Sequence, residues 1–519
     1  MDETWDVIVV GGGAAGLSAA LTLGRALRRV VVVDSGQPRN RFAAHMHAVL
    51  GNEGTDPAAL LERGRAEAAA YGVTFRDGRA TGVSAEERTV RVTTTAGELT
   101  ARALVVASGL TDELPEIPGL AERWGSTVLH CPYCHGWEVR GSRLGVLGAS
   151  PLSLHQAELV RQWSDRLTFF TAECGDLDPA VVRRLQARGI ELVDTPVTAL
   201  TDGAARLADG REIPLDALFA APTPRPHDDF LSALELERQD TPMGSFLAVD
   251  PTGRTSHPRI WAVGNVANPA ANVPISIAAG SMAGAMLNMT LVGEDADDAL
   301  AEQAADFWED RYAGSDRVWS GRVNATLADV VAALPAGQGR TVLELGCGEG
   351  GDAVWLAEQG WHVTAVDLSP TAVARGAEGA ADHGVADRIT WVAHNLGTWR
   401  TEKTFDLVTA SFFHSTVDLP RTEILRRAAG QVRPGGHLLL VSHVFETEED
   451  VPPWARHDAS ATAHAHDPAL LTPDQEIAEL ALDGWQVERA EIRPREATGP
   501  DGVQQATLKD GVVLLRRPA

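Results

Sequence analysis

Asp6-Val-Ile-Val-Val10 runs into Gly11-x-Gly13-x-x-Gly16, a helical pattern extends from Ala14 to Ala26, and a second apolar run, Val30 to Val33, ends at Asp34. Strand, glycine turn, helix and strand in that order make a βαβ unit. Each part has a physical task. Gly11 permits the tight turn, Gly13 lets a pyrophosphate approach the backbone at the helix N-terminus, and Gly16 allows close helix–strand packing. Asp34 is placed to accept hydrogen bonds from a ribose. A lone glycine fingerprint also fits a plain tight turn, but spacing, flanking strands and the acid together favour dinucleotide binding.

Further strand candidates are Leu104 to Ala107, Leu144 to Leu147, Leu167 to Phe170 and Ile260 to Val263, so the first half reads as α/β. From Thr341 the alternation restarts, with strands at Thr341 to Leu345, His362 to Val366, Phe405 to Ala410 and His437 to Val441, the rhythm of another doubly wound sheet. The acidic, alanine-rich segment from Glu294 to Asp306 places a boundary near residue 295. At 519 residues the chain exceeds a single core, and three or four compact units are expected.

With 44% hydrophobic and 22% charged residues the composition is ordinary for a soluble protein, and no membrane-spanning run of about 18 apolar residues is expected. The first residues lack a basic segment and cleavage site, which predicts a cytoplasmic location. A net charge of −26 argues against nucleic acid as a partner. Among four cysteines only Cys131 and Cys134 form a close pair, and Cys174 and Cys347 read as packed small residues.

Cys131-Pro-Tyr-Cys134-His135 can close a small disulfide ring, and the helix-favouring sequence after it would stabilise a thiolate. His135, with His130, is placed to carry the proton that thiol–disulfide exchange must move. Structural zinc would need a second such pair, which is absent, and the match to a c-type haem attachment pattern is short. An inert buried pair is the remaining alternative to redox chemistry.

Over about 290 residues this half resembles the low-molecular-weight thioredoxin reductases. Leu104-Val-Val-Ala-Ser-Gly109 with Ile117-Pro118-Gly119 looks like the strand and turn leaving that family's FAD domain, and Trp261-Ala-Val-Gly264-Asn265 resembles its late flavin motif. Asn265 stands where the family usually has Asp, and its carbonyl still accepts a ribityl hydrogen bond. The resemblance implies FAD at the first fingerprint, Cys134 against the flavin, Cys131 toward a small-molecule thiol or disulfide substrate, and a homodimer. The His-Gly-Trp-Glu continuation resembles a subgroup, the dithiol oxidases of disulfide-containing natural products such as gliotoxin and holomycin.

The reductases carry a second dinucleotide fingerprint, but here it reads Gly148-Ala149-Ser150-Pro151-Leu152-Ser153, and only the first glycine survives. The next strand ends in Phe169-Phe170-Thr171-Ala172-Glu173, without arginines to grip a 2′-phosphate. Both features argue against NADPH and favour electron transfer from a dithiol to dioxygen. A divergent loop that still binds NAD(P)H, making the half a disulfide reductase, is the opposing reading, and a flavin-based redox sensor is a non-enzymatic one.

In the second half Val342-Leu-Glu344-Leu-Gly346-Cys347-Gly348-Glu349-Gly350 is a strand with a glycine-rich turn, and it lacks the Lys and Ser/Thr of a phosphate loop. Asp367 ends the next strand, placed for two ribose hydroxyls. From Phe307-Trp308-Glu-Asp-Arg-Tyr312 to the end, about 215 residues resemble class I methyltransferases of the thiopurine and tellurite-resistance group. That resemblance implies S-adenosylmethionine bound by Glu344, Gly346, Gly348 and Asp367, with Asn395 beside adenine. Trp308 and Trp319 are placed either to cover the substrate mouth or simply to pack. His457, His464 and His466 lack zinc spacing and read as a lid, so no metal site is expected. No catalytic base stands out, since the methyl donor is already activated and alignment supplies much of the rate.

The expected architecture is therefore α/β throughout, a two-domain FAD/NAD(P)-type disulfide oxidoreductase followed by a Rossmann-like methyltransferase. Its expected order is 1–111 and 236–294 for the FAD domain, 112–235 for an inserted NAD(P)-like domain carrying the cysteine pair, 295–322 for a linker and entry helix, and 323–519 for the methyltransferase.

Overall fold

The structure is a computed structural model that describes residues 4–149, 152–415, 417, 419–445, 447, 450–453, 470–498 and 503–519. The chain divides into two compact units, Met1–Val292 and Gly293–Ala519.

The first unit is built on a seven-stranded sheet that runs Thr74–Asp77, Val30–Asp34, Thr4–Val10, Gly97–Val106, Val90–Thr94, Ala80–Ala85, with Ile260–Ala262 also paired to Gly97–Val106. Val7 to Val10 and Val30 to Val33 are buried, as strands covered on both faces require. Gly97–Val106 is long enough for two jobs. Its first half pairs antiparallel with Val90–Thr94, and its last residues pair parallel with Ile260–Ala262. The antiparallel strands Ala80–Ala85 and Val90–Thr94 were not among the strand candidates, because short alternating runs with Thr and Gly give a weak signal.

A second, all-parallel sheet orders Glu191–Val193, Leu167–Phe170, Leu144–Leu147, Ala217–Ala220 and Val128–Leu129. A small meander of Val197–Thr201, Ala204–Leu207 and Glu212–Pro214 lies in the same stretch of chain. The polypeptide enters this region along Leu110–Glu113 and leaves along Thr223–Pro226, and these two strands pair antiparallel.

The second unit has a seven-stranded sheet ordered Ile389–Ala393, His362–Asp367, Thr341–Leu345, Phe405–Ser411, Val432–His443, Gln505–Arg516 and Gln486–Thr498. The first five strands are parallel, and Gln505–Arg516 enters antiparallel between the fifth and the edge. The order reverses next to Thr341–Leu345, which opens a crevice at the carboxyl ends of the strands, the general ligand position in such sheets.

The helix Val273–Ala313 changes two expectations. The segment read as linker and entry helix is helical as far as Ala313. Residues 273–292 carry no charge, and by length and composition the helix passes as a membrane span, so the reading that excluded such a run is corrected. The apolarity has a local cause. Ala283, Leu287 and Leu291 are buried in the core of the first unit, while Ile275, Met282, Met289 and Val292 are exposed. Gly280 makes the docking possible, because a Cβ there would lie 2.0 Å from the carbonyl oxygen of Ala15.

Gly280→Ala is expected to destabilise the protein by about 1–3 kcal/mol, since the two helices must part. Gly293→Ala, where a Cβ meets nothing within 4 Å, is expected to stabilise by up to about 1 kcal/mol through helix propensity. Denaturant unfolding of the two variants reads the contrast.

Candidate functional site

The strand Thr4–Val10 ends at the glycine turn, and helix Ala14–Arg25 starts from it without a side-chain cap. A Cβ at Gly16 would lie 1.9 Å from the Gly11 carbonyl oxygen, so only glycine lets the helix close on the turn. At Gly13 an added Cβ would meet nothing within 4 Å, and the backbone there faces open space. That space is a cleft of about 1680 Å³ lined by Gly11 to Ala15, Asp34, Arg39, Cys131, Cys134, His135, Gly264 and Asn265 among others. Asp34 ends its strand with one carboxylate oxygen accepting from Arg65 at 2.9 Å. A bare turn, an acid at the next strand end and an elongated cleft fit a flavin dinucleotide.

Asn265 sits in a 3-10 turn after the strand Ile260–Ala262. Its amide nitrogen donates to the carbonyls of Ala271 (2.9 Å), Asn268 (3.1 Å) and Pro269 (3.3 Å). Carbonyls can be answered only by a donor, so this loop is built for Asn, and the side-chain carbonyl is left to accept. Arg39 joins the arrangement. It donates to Pro269 O at 3.0 Å and forks onto both oxygens of Asp112 at 2.7 and 2.8 Å.

Cys131 and Cys134 form a disulfide with Cα atoms 5.2 Å apart. Both sulfurs are thereby taken, which gives the zinc and haem-attachment readings no free ligand in this state. The helix expected after the pair is the single turn Pro132–His135, too short for a sizeable dipole. Local bonding replaces it, with the Cys134 N–H donating to Cys131 Sγ at 3.2 Å. Burial pushes the His135 pKa below the ordinary histidine value, opposed by Glu138 and reinforced by His47 and His130. His130 is depressed chiefly by burial and then by Arg39, and its Nδ1 lies 3.2 Å from Ala220 O. Both imidazoles are thus neutral near pH 7 and able to take a proton.

The degraded second fingerprint can be followed at its described residues; Ser150 and Pro151 lie outside them. Ser153 is fully buried, and its hydroxyl accepts the Ala149 N–H at 3.1 Å. A Cβ at Gly148 would lie 2.4 Å from Phe170 O and 2.5 Å from Cys174 Sγ, so Cys174 is packed against the turn.

In the second unit the Asp367 carboxylate accepts Gly348 N at 2.8 Å and Ser369 N at 3.0 Å, and burial raises its pKa. Glu344 is buried with one oxygen lacking a partner, and its pKa is driven well up by burial, then by Asp352 and Asp367. An orphaned buried carboxylate beside two others fits a cationic ligand bearing hydroxyls, as S-adenosylmethionine does. Asn395 is held within its own turn. Its side chain accepts Gly397 N at 2.7 Å within its own turn.

Residues outside the cofactor set expected from the sequence complete this crevice. Glu349, buried, accepts from Val318 N, Trp319 N and Arg375. Glu309 binds Ser369 and Thr371, anchoring the helix Val273–Ala313 at the strand end. Trp319 donates to the Tyr312 hydroxyl at 2.8 Å, and Trp308 to Ser415 at 3.1 Å, so both tryptophans are fastened and not merely packed. At the strand ends Phe412 stacks on His443 at 4.2 Å and His443 on Phe445 at 5.8 Å, an aromatic wall. His457, His464 and His466 lie outside the described residues.

Residues 5–284 match the sequence profile of the pyridine nucleotide-disulphide oxidoreductases. The chain belongs to that family. Residues 342–436 match a methyltransferase domain. Thioredoxin reductase sirT of Leptosphaeria maculans is 31% identical over 314 residues, 56% of this chain and 95% of its own length. Thioredoxin reductase tcpT of Claviceps purpurea is 30% identical over 310 residues, again 56% of this chain and 95% of its own. The crystal structure of HlmI matches with a TM-score of 0.56 at 43% identity, covering 59% of this chain and 98% of that one. An oxidoreductase from Agrobacterium tumefaciens matches with a TM-score of 0.54 at 40% identity, covering 56% and 99%.

As a pyridine nucleotide-disulphide oxidoreductase with a methyltransferase domain, the protein is an enzyme, and its first half is thioredoxin reductase-like. The family implies FAD and the methyltransferase domain implies S-adenosylmethionine. Asn265→Asp is expected to weaken FAD retention by about fivefold to a hundredfold, because the carboxylate would face three carbonyls it cannot satisfy, a loss of roughly 1–3 kcal/mol. Equilibrium dialysis of the flavin measures it. Retention equal to the parent protein would show that the carbonyl cluster does not select Asn.

Proposed function

We propose that the first half oxidises small-molecule dithiols to disulfides with dioxygen as electron acceptor, and that the second half methylates a small molecule at sulfur. The observation that carries the oxidase reading is the Ala149–Ser153 hydrogen bond. An N–H that a nicotinamide dinucleotide's pyrophosphate would need is spent on a buried hydroxyl. Glu173 after the neighbouring strand supports it, since a carboxylate repels a 2′-phosphate. The names of the fungal relatives favour the second reading, an NAD(P)H-dependent disulfide reductase.

In the proposed reaction a substrate thiolate attacks Cys131 Sγ, breaking its bond to Cys134 and forming a mixed disulfide. The second substrate thiolate attacks its own sulfur partner in that mixed bond, releasing the cyclic or linear disulfide and leaving two cysteine thiols. Neutral His135 accepts a proton from this pair. FAD bound in the cleft would take up the two electrons and deliver them to dioxygen, so that dithiol and dioxygen become disulfide and hydrogen peroxide.

Anaerobic mixing tests this directly. A small dithiol is expected to bleach the flavin and NADPH to leave it oxidised; fast bleaching by NADPH would establish the reductase reading instead.

For the second half, Asp367 and Glu344 would hold S-adenosylmethionine, which supplies an activated methyl group. The chain's task is then to position a nucleophile against it. A dithiol offers one acceptor to both halves, since oxidation and S-methylation use the same thiolate. Asp367→Ala is expected to lower S-adenosylmethionine affinity by about tenfold or more, through loss of the two amide bonds that shape the turn, and to shift product from methyl thioether to disulfide. Mass spectrometry of the products decides. Methylation confined to oxygen or nitrogen, with thiols untouched, would overturn the sulfur assignment.

A further inference from the structure

A loop far in sequence from the cysteine pair is held in a costly shape beside it. Gly54 N donates to Met46 O at 3.0 Å and Met46 N to Thr55 O at 2.9 Å, closing the loop, while Met46 and Val49 are buried as its anchors. Within it Ala48 adopts φ 59°, the left-handed region that disfavours any residue with a Cβ. Glu53 holds this conformation. One oxygen accepts Ala48 N at 2.9 Å and the other meets His47 Nδ1 at 2.7 Å.

The strain has a product, which is the direction of one imidazole ring. With Nδ1 committed to Glu53, His47 presents Nε2 to Glu138, 3.6 Å away, close enough for a small side-chain shift to join them. His47 lines the same cleft as Cys131, Cys134 and His135. Glu138 follows His135 by three residues, and Glu138 and His47 are the two charges that act most on His135. Exposure rises along the series, from 20% for the His47 side chain to 40% for Glu138 and 66% for Glu53. The remaining titratable group acting on His135 is His130, behind which stand Arg39 and Asp112.

We propose that His47, oriented by Glu53, is a positioning residue that exchanges protons with His135 through Glu138 and connects the cysteine pair to solvent. Closing the cysteine disulfide gives up two electrons and two protons. The electrons go to the flavin and then to dioxygen, and the protons, shed at sulfur, must leave before the acceptor regains two of them as hydrogen peroxide. His135 is half-buried and can hold one proton at a time, so a second station lets it reset between the two. The inference rests on the redox reading of the cysteine pair, and its direction of proton flow rests on the proposed dithiol oxidation.

The test uses the full-length FAD-loaded protein, with dithiothreitol as the reductant in anaerobic stopped-flow across a range of pH. His47→Gln and Glu138→Gln are each expected to slow flavin reduction about tenfold near neutral pH, to change the shape of the pH profile, and to recover with added imidazole. A purely structural role would alter the flavin spectrum or melting temperature and would not respond to imidazole. If His47→Gln loosens the strained loop, Glu138→Gln, which takes no part in the loop's hydrogen bonds, decides. Parental rates and pH profiles in both variants overturn the inference. If dithiothreitol fails to reduce the parent flavin, dithiol oxidation is what has failed. The same variants are then read in NADPH-driven reduction of a disulfide, where protons run inward, and parental pH profiles there overturn the relay itself.

Discussion

Backbone packed on backbone around Ala15 holds the flavin half together. Gly16 lets helix Ala14–Arg25 close on the Gly11 carbonyl, and Gly280 brings the helix Val273–Ala313 against the Ala15 carbonyl from the other side. Gly264, next to Asn265, lies so close that a Cβ would be 3.0 Å from Ala15 Cβ, and Ser18 donates to Ile277 O at 2.8 Å. Three segments separated by up to 265 residues are thus referenced to one turn of one helix. The cofactor turn, the late Asn265 loop and the apolar helix cannot move independently, because none has a side chain there to rotate out of the way.

What was legible in the sequence follows the same physics. Gly11, Gly13, Gly16 and Asp34, like Glu344, Gly346, Gly348 and Asp367, carry their meaning in spacing along a strand, a turn and a helix, so local order is enough to read them. The cysteine pair is likewise local. Asn265 could be flagged as a departure from its family, but the three carbonyls that require an amide lie on a loop whose course depends on tertiary packing. The roles of Glu349, Glu309 and His47 were invisible because each acts on partners 26 to 91 residues away or through a strained turn with no motif. At Asn395 the position along the chain was legible, while the bond its carbonyl accepts from Gly397 N shows only in the folded turn. The uncharged stretch 273–292 was hard to read because Pro, Ser, Gly, Asn and Thr interrupt its apolar residues, and part of it serves a core.

The charges in the cleft point in one direction. The whole chain carries −26, yet two acids that line the cleft are paired: Asp112 is forked by Arg39, and Asp34 meets Arg65. The histidines beside the cysteines are kept neutral by burial. Where the family ordinarily places a carboxylate, Asn265 is neutral. Two-electron chemistry on thiols produces anions, first at sulfur and then on the electron acceptor, and each added negative charge is opposed by any carboxylate nearby in a medium of low dielectric constant. Replacing that carboxylate with an amide removes a repulsion without removing the hydrogen-bond acceptor. In the proposed dithiol oxidation a site so tuned would accept electrons more readily than one that keeps the acid. The same neutrality places proton removal on the imidazoles, and in the proposed relay a strained loop holds one more histidine beside Glu138 to share it.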